Sequence, residues 1–378
     1  MFVAIQPSVR SAGRTLTFAI ACLLAAPILP SVVRADRFEI RSSSGEMAEL
    51  DAVQIWAGQG AVAVELNDGQ VLFVPEPAVL SREAADPPVP LTANEMAAKL
   101  ADLFGSSRIV TYVADPYVVG LVLANPTDDE RERARKIGNL KQAGRFLRSV
   151  QGKFLGFIRD TRVAAQPLKY PLVALIFESD VHFDDYARIV TGNRGLSAGA
   201  IAGFYDSLSN HLVLRIGECR TFDVPLHEAI HQQVYNRRIL QRLAPIPVWF
   251  NEGLAAGFEG DGRSVQHGPQ TVSRRYARLA LGARRVDWRE VVRNDRTFHG
   301  DVLAGEAYGH AWGLHWLLVT KYKQEYGEYV RHLSQLRPLE EREPDERIEQ
   351  LETILERSVP ALEEEFFTTV TTALDRLR

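Results

Sequence analysis

The residues with the clearest capacity for chemistry are Leu226-His227-Glu228-Ala229-Ile230-His231. Two histidines four apart lie one above the other on one face of an α-helix, so both imidazoles can reach a single metal ion. Glu228 falls about 100° round such a helix from His227, close enough to touch a water on that metal without competing as a donor. Leu226, Ala229 and Ile230 are apolar, so the helix can be buried on several sides. Asp223 and Pro225 suit a helix start, Asp as a cap and Pro in the first turn. A His-Glu-His set inside an apolar helix costs about 2–7 kcal/mol per unsatisfied polar group, and a metal would satisfy it.

The spacing is the H-E-x-x-H of zinc peptidases, in which the glutamate is the general base. A catalytic zinc needs a third protein donor and an open position for water. The next candidate is Glu252, a lone carboxylate in the apolar run from Pro247 to Phe258. Gln232 and Gln233 follow His231 where many zinc peptidases have an apolar residue first, which points to a wetter end to the helix.

With these residues the chain resembles the gluzincin zinc peptidases, whose third donor lies in an N-E-x-x-A motif; the match is Asn251, Glu252 and Ala255. From about Leu172 to Leu318 it is similar to the bacterial peptidase-MA-like group. That likeness is carried by Gly203-Phe204-Tyr205-Asp206 with Asn210-His211-Leu212-Val213-Leu214, the His227 motif, Trp249 to Ala255, and Ala307-Tyr308-Gly309-His310-Ala311-Trp312.

The resemblance implies an α+β, zincin-like domain: a small mixed sheet with an exposed edge strand, an active-site helix and a mostly helical C-terminal part. His227, His231 and Glu252 would hold one Zn²⁺ with one water. Glu228 would take that water's proton and pass it to the leaving amine. Tyr308, with His310 in reserve, would stabilise the oxyanion. Asn251 would orient a donor or hold substrate backbone. The strand His211 to Ile216, with Leu212 and Leu214, would be the edge to which a peptide or protein substrate adds by backbone hydrogen bonds. Read without the resemblance, Tyr308 and His310 fit equally well where a helix meets both core and water.

Two other classes stay open. One is a gluzincin-fold binding protein with no catalysis, contacting an envelope partner through its N-terminal β-unit. The other is a purely structural zinc site, which is usually closed by four donors, often Cys. Cys219 would be the one thiol left after loss of residues 1–35, and it reads as a small buried hydrophobe.

The elements around the site follow in chain order. Residues 1–35 read as an export signal: Arg10 and Arg14, an apolar run from Leu16 to Leu29, and Val33-Arg34-Ala35 as a cleavage site. The product would be periplasmic or secreted; an N-terminal anchor, or lipid on Cys22, are the alternatives. Residues 36–82 read as a small β-rich unit, with Asn67-Asp68-Gly69 turning a hairpin. Residues 83–90 read as a linker and 91–378 as the catalytic domain, with its core at 172–318 and closing helices at 345–377. Leu91–Phe104 and a long stretch after Asp129 have helical spacing; Arg108–Val113, Val118–Ala124 and Leu172–Phe177 read as strands. His211 reads as a strand surface residue, and Glu259 as part of a turn. A net charge of −4 and the lack of any basic block argue against nucleic acid as a partner.

Overall fold

The computed structural model describes residues 35–41, 45–191, 202–260, 265–282, 286–299 and 301–377, the first four of the last segment as backbone only. The expected export signal and Cys22 lie outside the described residues, Ala35 excepted. No helix among the described residues is long and apolar enough to cross a membrane. The chain divides into two compact units, one running to Asn67 and resuming at Val71–Val89, the other comprising Asp68–Gln70 and Pro90–Arg378.

The first unit is an antiparallel sheet of β1 (Ala35–Arg41), β2 (Met47–Gly58), β3 (Ala61–Glu65), β4 (Val71–Pro75) and β5 (Val79–Ala85), in the order β4-β3-β2-β1-β5. Alternation along the strands buries Phe38, Ile40, Ala52, Val62, Val64 and Val74 together. Gly69 turns the β3–β4 hairpin at φ 83°, a conformation that favours glycine. β5 continues to Ala85, opposite Ala35, so residues 83–85 are strand and not linker. The prolines from Pro87 onward have no N–H to extend the ladder.

The second unit mixes α and β. Helix α1 (Ala93–Phe104) opens with a capping box between Thr92 and Glu95. Strands β6 (Ile109–Ala114) and β7 (Tyr117–Val122) form a hairpin. Helix α2 (Glu130–Thr161), capped by Asp129, returns the chain to β8 (Leu172–Phe177), parallel to β7. Helix α3 (Asp180–Thr191) precedes β9 (Gly203–Tyr205) and β10 (His211–Arg215). The order is β6-β7-β8-β10-β9, with β10 parallel to β8 and β9 antiparallel to β10. The all-apolar β8 is explained by its two covered faces. Leu172, Ala174 and Ile176 join the main core, while Val173, Leu175 and Phe177 pack beside Met96, Leu100 and Phe183.

This order corrects the expected edge strand. β10 is paired on both sides, and β9 is the edge. Leu212 and Leu214 have no open backbone flank, and their side chains belong to the main core. His211 is buried, not on the surface, with Nδ1 3.0 Å from the Tyr186 hydroxyl.

The rest is helical: α4 (Asp223–Asn236), α5 (Val248–Ala256), α6 (Arg274–Leu281), α7 (Trp288–Arg293), α8 (Asp301–Lys321), α9 (Lys323–Ser334), α10 (Pro344–Leu355) and α11 (Val359–Asp375). Phe222 occupies the cap position of α4, so Asp223 starts the first turn and does not cap it. The expected wet end of α4 is dry: Gln232 and Gln233 are fully buried. The Gln232 amide donates to the carbonyls of Val173 (2.9 Å) and Asn210 (3.3 Å), and Gln233 donates to the Tyr117 hydroxyl (2.6 Å).

Helices α5 and α8 cross closely at Gly253, where a Cβ would stand 2.5 Å from the Ala311 carbonyl oxygen. Gly253→Ala should therefore force the helices apart and cost roughly 1–3 kcal/mol, read as a lower thermal midpoint. Gly138→Ala, on α2 with nothing within 4 Å, should instead stabilise by about 0.5–1 kcal/mol.

Burial lowers the pKa of His211 to about 4 and of His315 to about 3. Between those values and the ordinary 6.5, the unfolded chain binds protons that the folded chain refuses, so stability falls as pH drops below 6.5. The urea midpoint should be lower at pH 5 than at pH 7, and the difference should shrink in a His211→Asn, His315→Asn double variant.

Candidate metal centre

Helix α4 sets the site. His227 and His231 lie one turn apart on one face, their rings 4.8 Å apart at 76°. Helix α5 brings Glu252 against both. Its Oε2 is 2.9 Å from His227 Nε2, and its Oε1 is 3.6 Å from His231 Nε2. One donor atom from each of the three residues lies within 4.8 Å of the others. Donors about 2.0–2.2 Å from a tetrahedral ion stand roughly 3.3–3.6 Å from one another, and the two separations from Glu252 to the imidazole nitrogens are close to that. Two imidazoles and a carboxylate are also a donor set suited to a divalent transition metal. The cluster can hold a metal ion.

The donors open on a cleft of about 430 Å³, lined also by Glu228, Tyr205, Tyr235, Asn251 and Tyr308. Three protein donors facing a cleft leave room for a further ligand, unlike a closed structural site. Glu228 is not part of the donor triangle. Its Oε2 accepts the backbone N–H of Tyr205, at the end of β9, at 2.8 Å. Burial raises the Glu228 pKa, and the nearby imidazoles only partly oppose this. A carboxyl group with a raised pKa is suited to accept and return a proton.

Tyr308 comes to the cleft from α8, its ring 6.4 Å from that of His227. Burial first, then the Glu252 carboxylate, pushes its pKa up, so the phenol stays neutral and able to donate. His310 is not brought to the cleft. It is fully buried on another face of α8, where its Nδ1 accepts the Trp288 indole N–H at 3.1 Å. It lies two positions from Tyr308, and on a helix that spacing faces away. Asn251 does line the cleft, its Oδ1 3.4 Å from the Tyr235 hydroxyl. Leu212 and Leu214 do not.

The residue that sequence reasoning missed is Glu259. It follows the apolar run that carries Glu252, where the sequence signals a turn. In the structure it is buried, and its Oε1 accepts His227 Nδ1–H at 2.7 Å. Its Oε2 accepts the Tyr276 hydroxyl (2.6 Å) and the Arg275 guanidinium (3.2 Å). This explains the arginine-bearing helix α6, which delivers both groups. A carboxylate on the far nitrogen fixes the ring and its tautomer and raises its basicity as a donor. Among the described residues, the buried Nδ1 of His231 has no such partner.

Burial opposes the charge on His227, yet the hydrogen bonds to Glu252 and Glu259 raise its pKa well above the ordinary value. Burial likewise opposes ionisation of Glu252 and Glu259, but His231 and His227 for the first, and His227 for the second, hold both below the usual carboxylate range.

Glu252→Ala should abolish tight metal binding. Glu259→Gln should weaken it by about 10–100-fold, measured by competition with a chromogenic chelator, with the helical circular dichroism unchanged.

Residues 224–340 match the family described as "Protein of unknown function (DUF1570)". The matched stretch includes His227, Glu228, His231, Glu252, Glu259 and Tyr308. No curated protein matches the chain.

Proposed function

We propose that the chain is a zinc-dependent peptidase with a zincin-like catalytic domain of the gluzincin kind. We further propose that it acts on peptides or proteins in the cell envelope or outside the cell, as the charge and apolar pattern of residues 1–35 suggests. The observation that carries the reading is the position of Glu228. A half-buried carboxylate stands beside a three-donor cluster, outside the donor triangle, and faces an open cleft. A binding module needs no such base, and a structural metal site needs no such opening.

His227, His231 and Glu252 would hold the metal. When bound, it supplies Lewis acidity, polarising a carbonyl and making water more acidic. The chain's own residues would do the rest. Glu228, held by the Tyr205 N–H, takes the proton of the attacking water and delivers it to the leaving amine. The Tyr308 hydroxyl donates to the oxygen on which charge develops. Glu259 keeps the His227 ring in place. Asn251 presents an amide to the substrate backbone.

Glu228→Gln should keep one equivalent of zinc and lose hydrolysis of a mixed peptide library by at least about 10²–10⁴-fold. Tyr308→Phe should keep zinc and lose about 10²–10³-fold in kcat. Chelation should abolish activity, and added zinc should restore it. Wild-type activity in Glu228→Gln would falsify the base assignment.

A further inference from the structure

We propose that Leu243 is the specificity-determining wall of the cleft, and that the preferred substrate carries a branched apolar side chain next to the scissile bond. This deepens the peptidase reading and rests on it. Leu243 lines the same cleft as His227, Glu228 and Glu252. Most of that surface is hydroxyl, amide or carboxylate, from residues such as Ser207, Asn251 and Tyr235. Leu243 and its neighbour Ala244 supply the aliphatic part.

The backbone of Leu243 is left-handed, with φ 64°. Glycine and asparagine take that conformation readily, and a γ-branched residue does not. The surroundings impose it. The Leu243 carbonyl accepts the Leu339 N–H at 2.8 Å. Arg242 beside it donates to the carbonyls of Gly69 (2.6 Å) and Ser207 (3.3 Å). A leucine held in a conformation suited to glycine, on the wall of a polar cleft, points to a use for its side chain. In that position the side chain offers apolar contact and nothing else. The Tyr205 and Tyr235 rings, stacked at 5.7 Å and 13°, add flat surface to the same cleft. An apolar residue of the substrate can thus be desolvated there, whereas glycine leaves Leu243 facing water and a charged residue loses its hydration.

The test uses peptides that differ only in the two residues flanking the cleaved bond, set to Leu, Ala, Gly or Asp. Rates are measured for zinc-loaded wild type, Leu243→Gly and Leu243→Asn. Affinities for the same peptides are measured by calorimetry on zinc-loaded Glu228→Gln protein, with and without Leu243→Gly. In wild type, kcat/KM should favour a Leu over a Gly peptide by about 10–200-fold, falling to within about threefold in both Leu243 variants. Both variants should melt at the wild-type temperature or above, since each accepts the left-handed backbone. An unchanged preference in both variants overturns the proposal, as does equal binding of Leu and Gly peptides to the Glu228→Gln protein. A Leu243-dependent preference in binding, with no hydrolysis by wild type, supports the subsite and overturns the peptidase reading.

Discussion

Three carboxylates and two imidazoles share one corner of the fold, and burial opposes the charge on Glu228, Glu252, Glu259 and His227. Glu252 faces both rings, Glu259 holds the outer nitrogen of His227, and Glu228 is anchored by a backbone amide. A proton on His227 answers part of this negative field, and a divalent cation held by the cluster would answer it more fully. The two would compete for the same nitrogen, so taking up the cation would expel the proton. The remaining arrangement can be understood as what keeps these groups in place at the cost of their hydration.

Packing does this with little tolerance. Glu252 and Tyr308 come from α5 and α8, and the two helices approach as closely as glycine allows at Gly253, next in sequence to Glu252. At Gly309, beside Tyr308, α8 meets α6 so closely that a Cβ would stand 2.7 Å from the Ala280 backbone nitrogen. Helix α6 in turn delivers Tyr276 and Arg275 to Glu259. The third donor, the phenol and the carboxylate behind His227 are therefore linked through two glycine contacts on one helix. A shift in α8 would move all three.

The part of this legible in the sequence is the part with a period or a local rule. His227 and His231 are read from helical spacing, β8 from its apolar run, and the β3–β4 turn from Asn-Asp-Gly. Glu252 is visible as a charge where charge is costly. Glu259 is equally costly but follows the apolar run and precedes glycine, so its local context reads as turn. Its partners are on another helix, which no short-range pattern reveals. The edge strand is not legible because β9 is three residues long and carries no periodicity, although its pairing closes the flank of β10. The resemblance puts Tyr308 first and His310 in reserve; helical geometry separates them, His310 towards Trp288 and Tyr308 towards the cleft.

The buried amides of Gln232 and Gln233 have a further consequence. Helix α4 is apolar on most sides, and oily packing alone holds such a rod only loosely about its own axis. The two glutamines act as teeth. Each fits carbonyls or a hydroxyl on the sheet behind, and turning the helix by one residue would strand both in a dry interior. The angular setting of His227 and His231 is thus keyed from behind, by residues that never face the cleft. Any ion the cluster took up would meet donors already aimed.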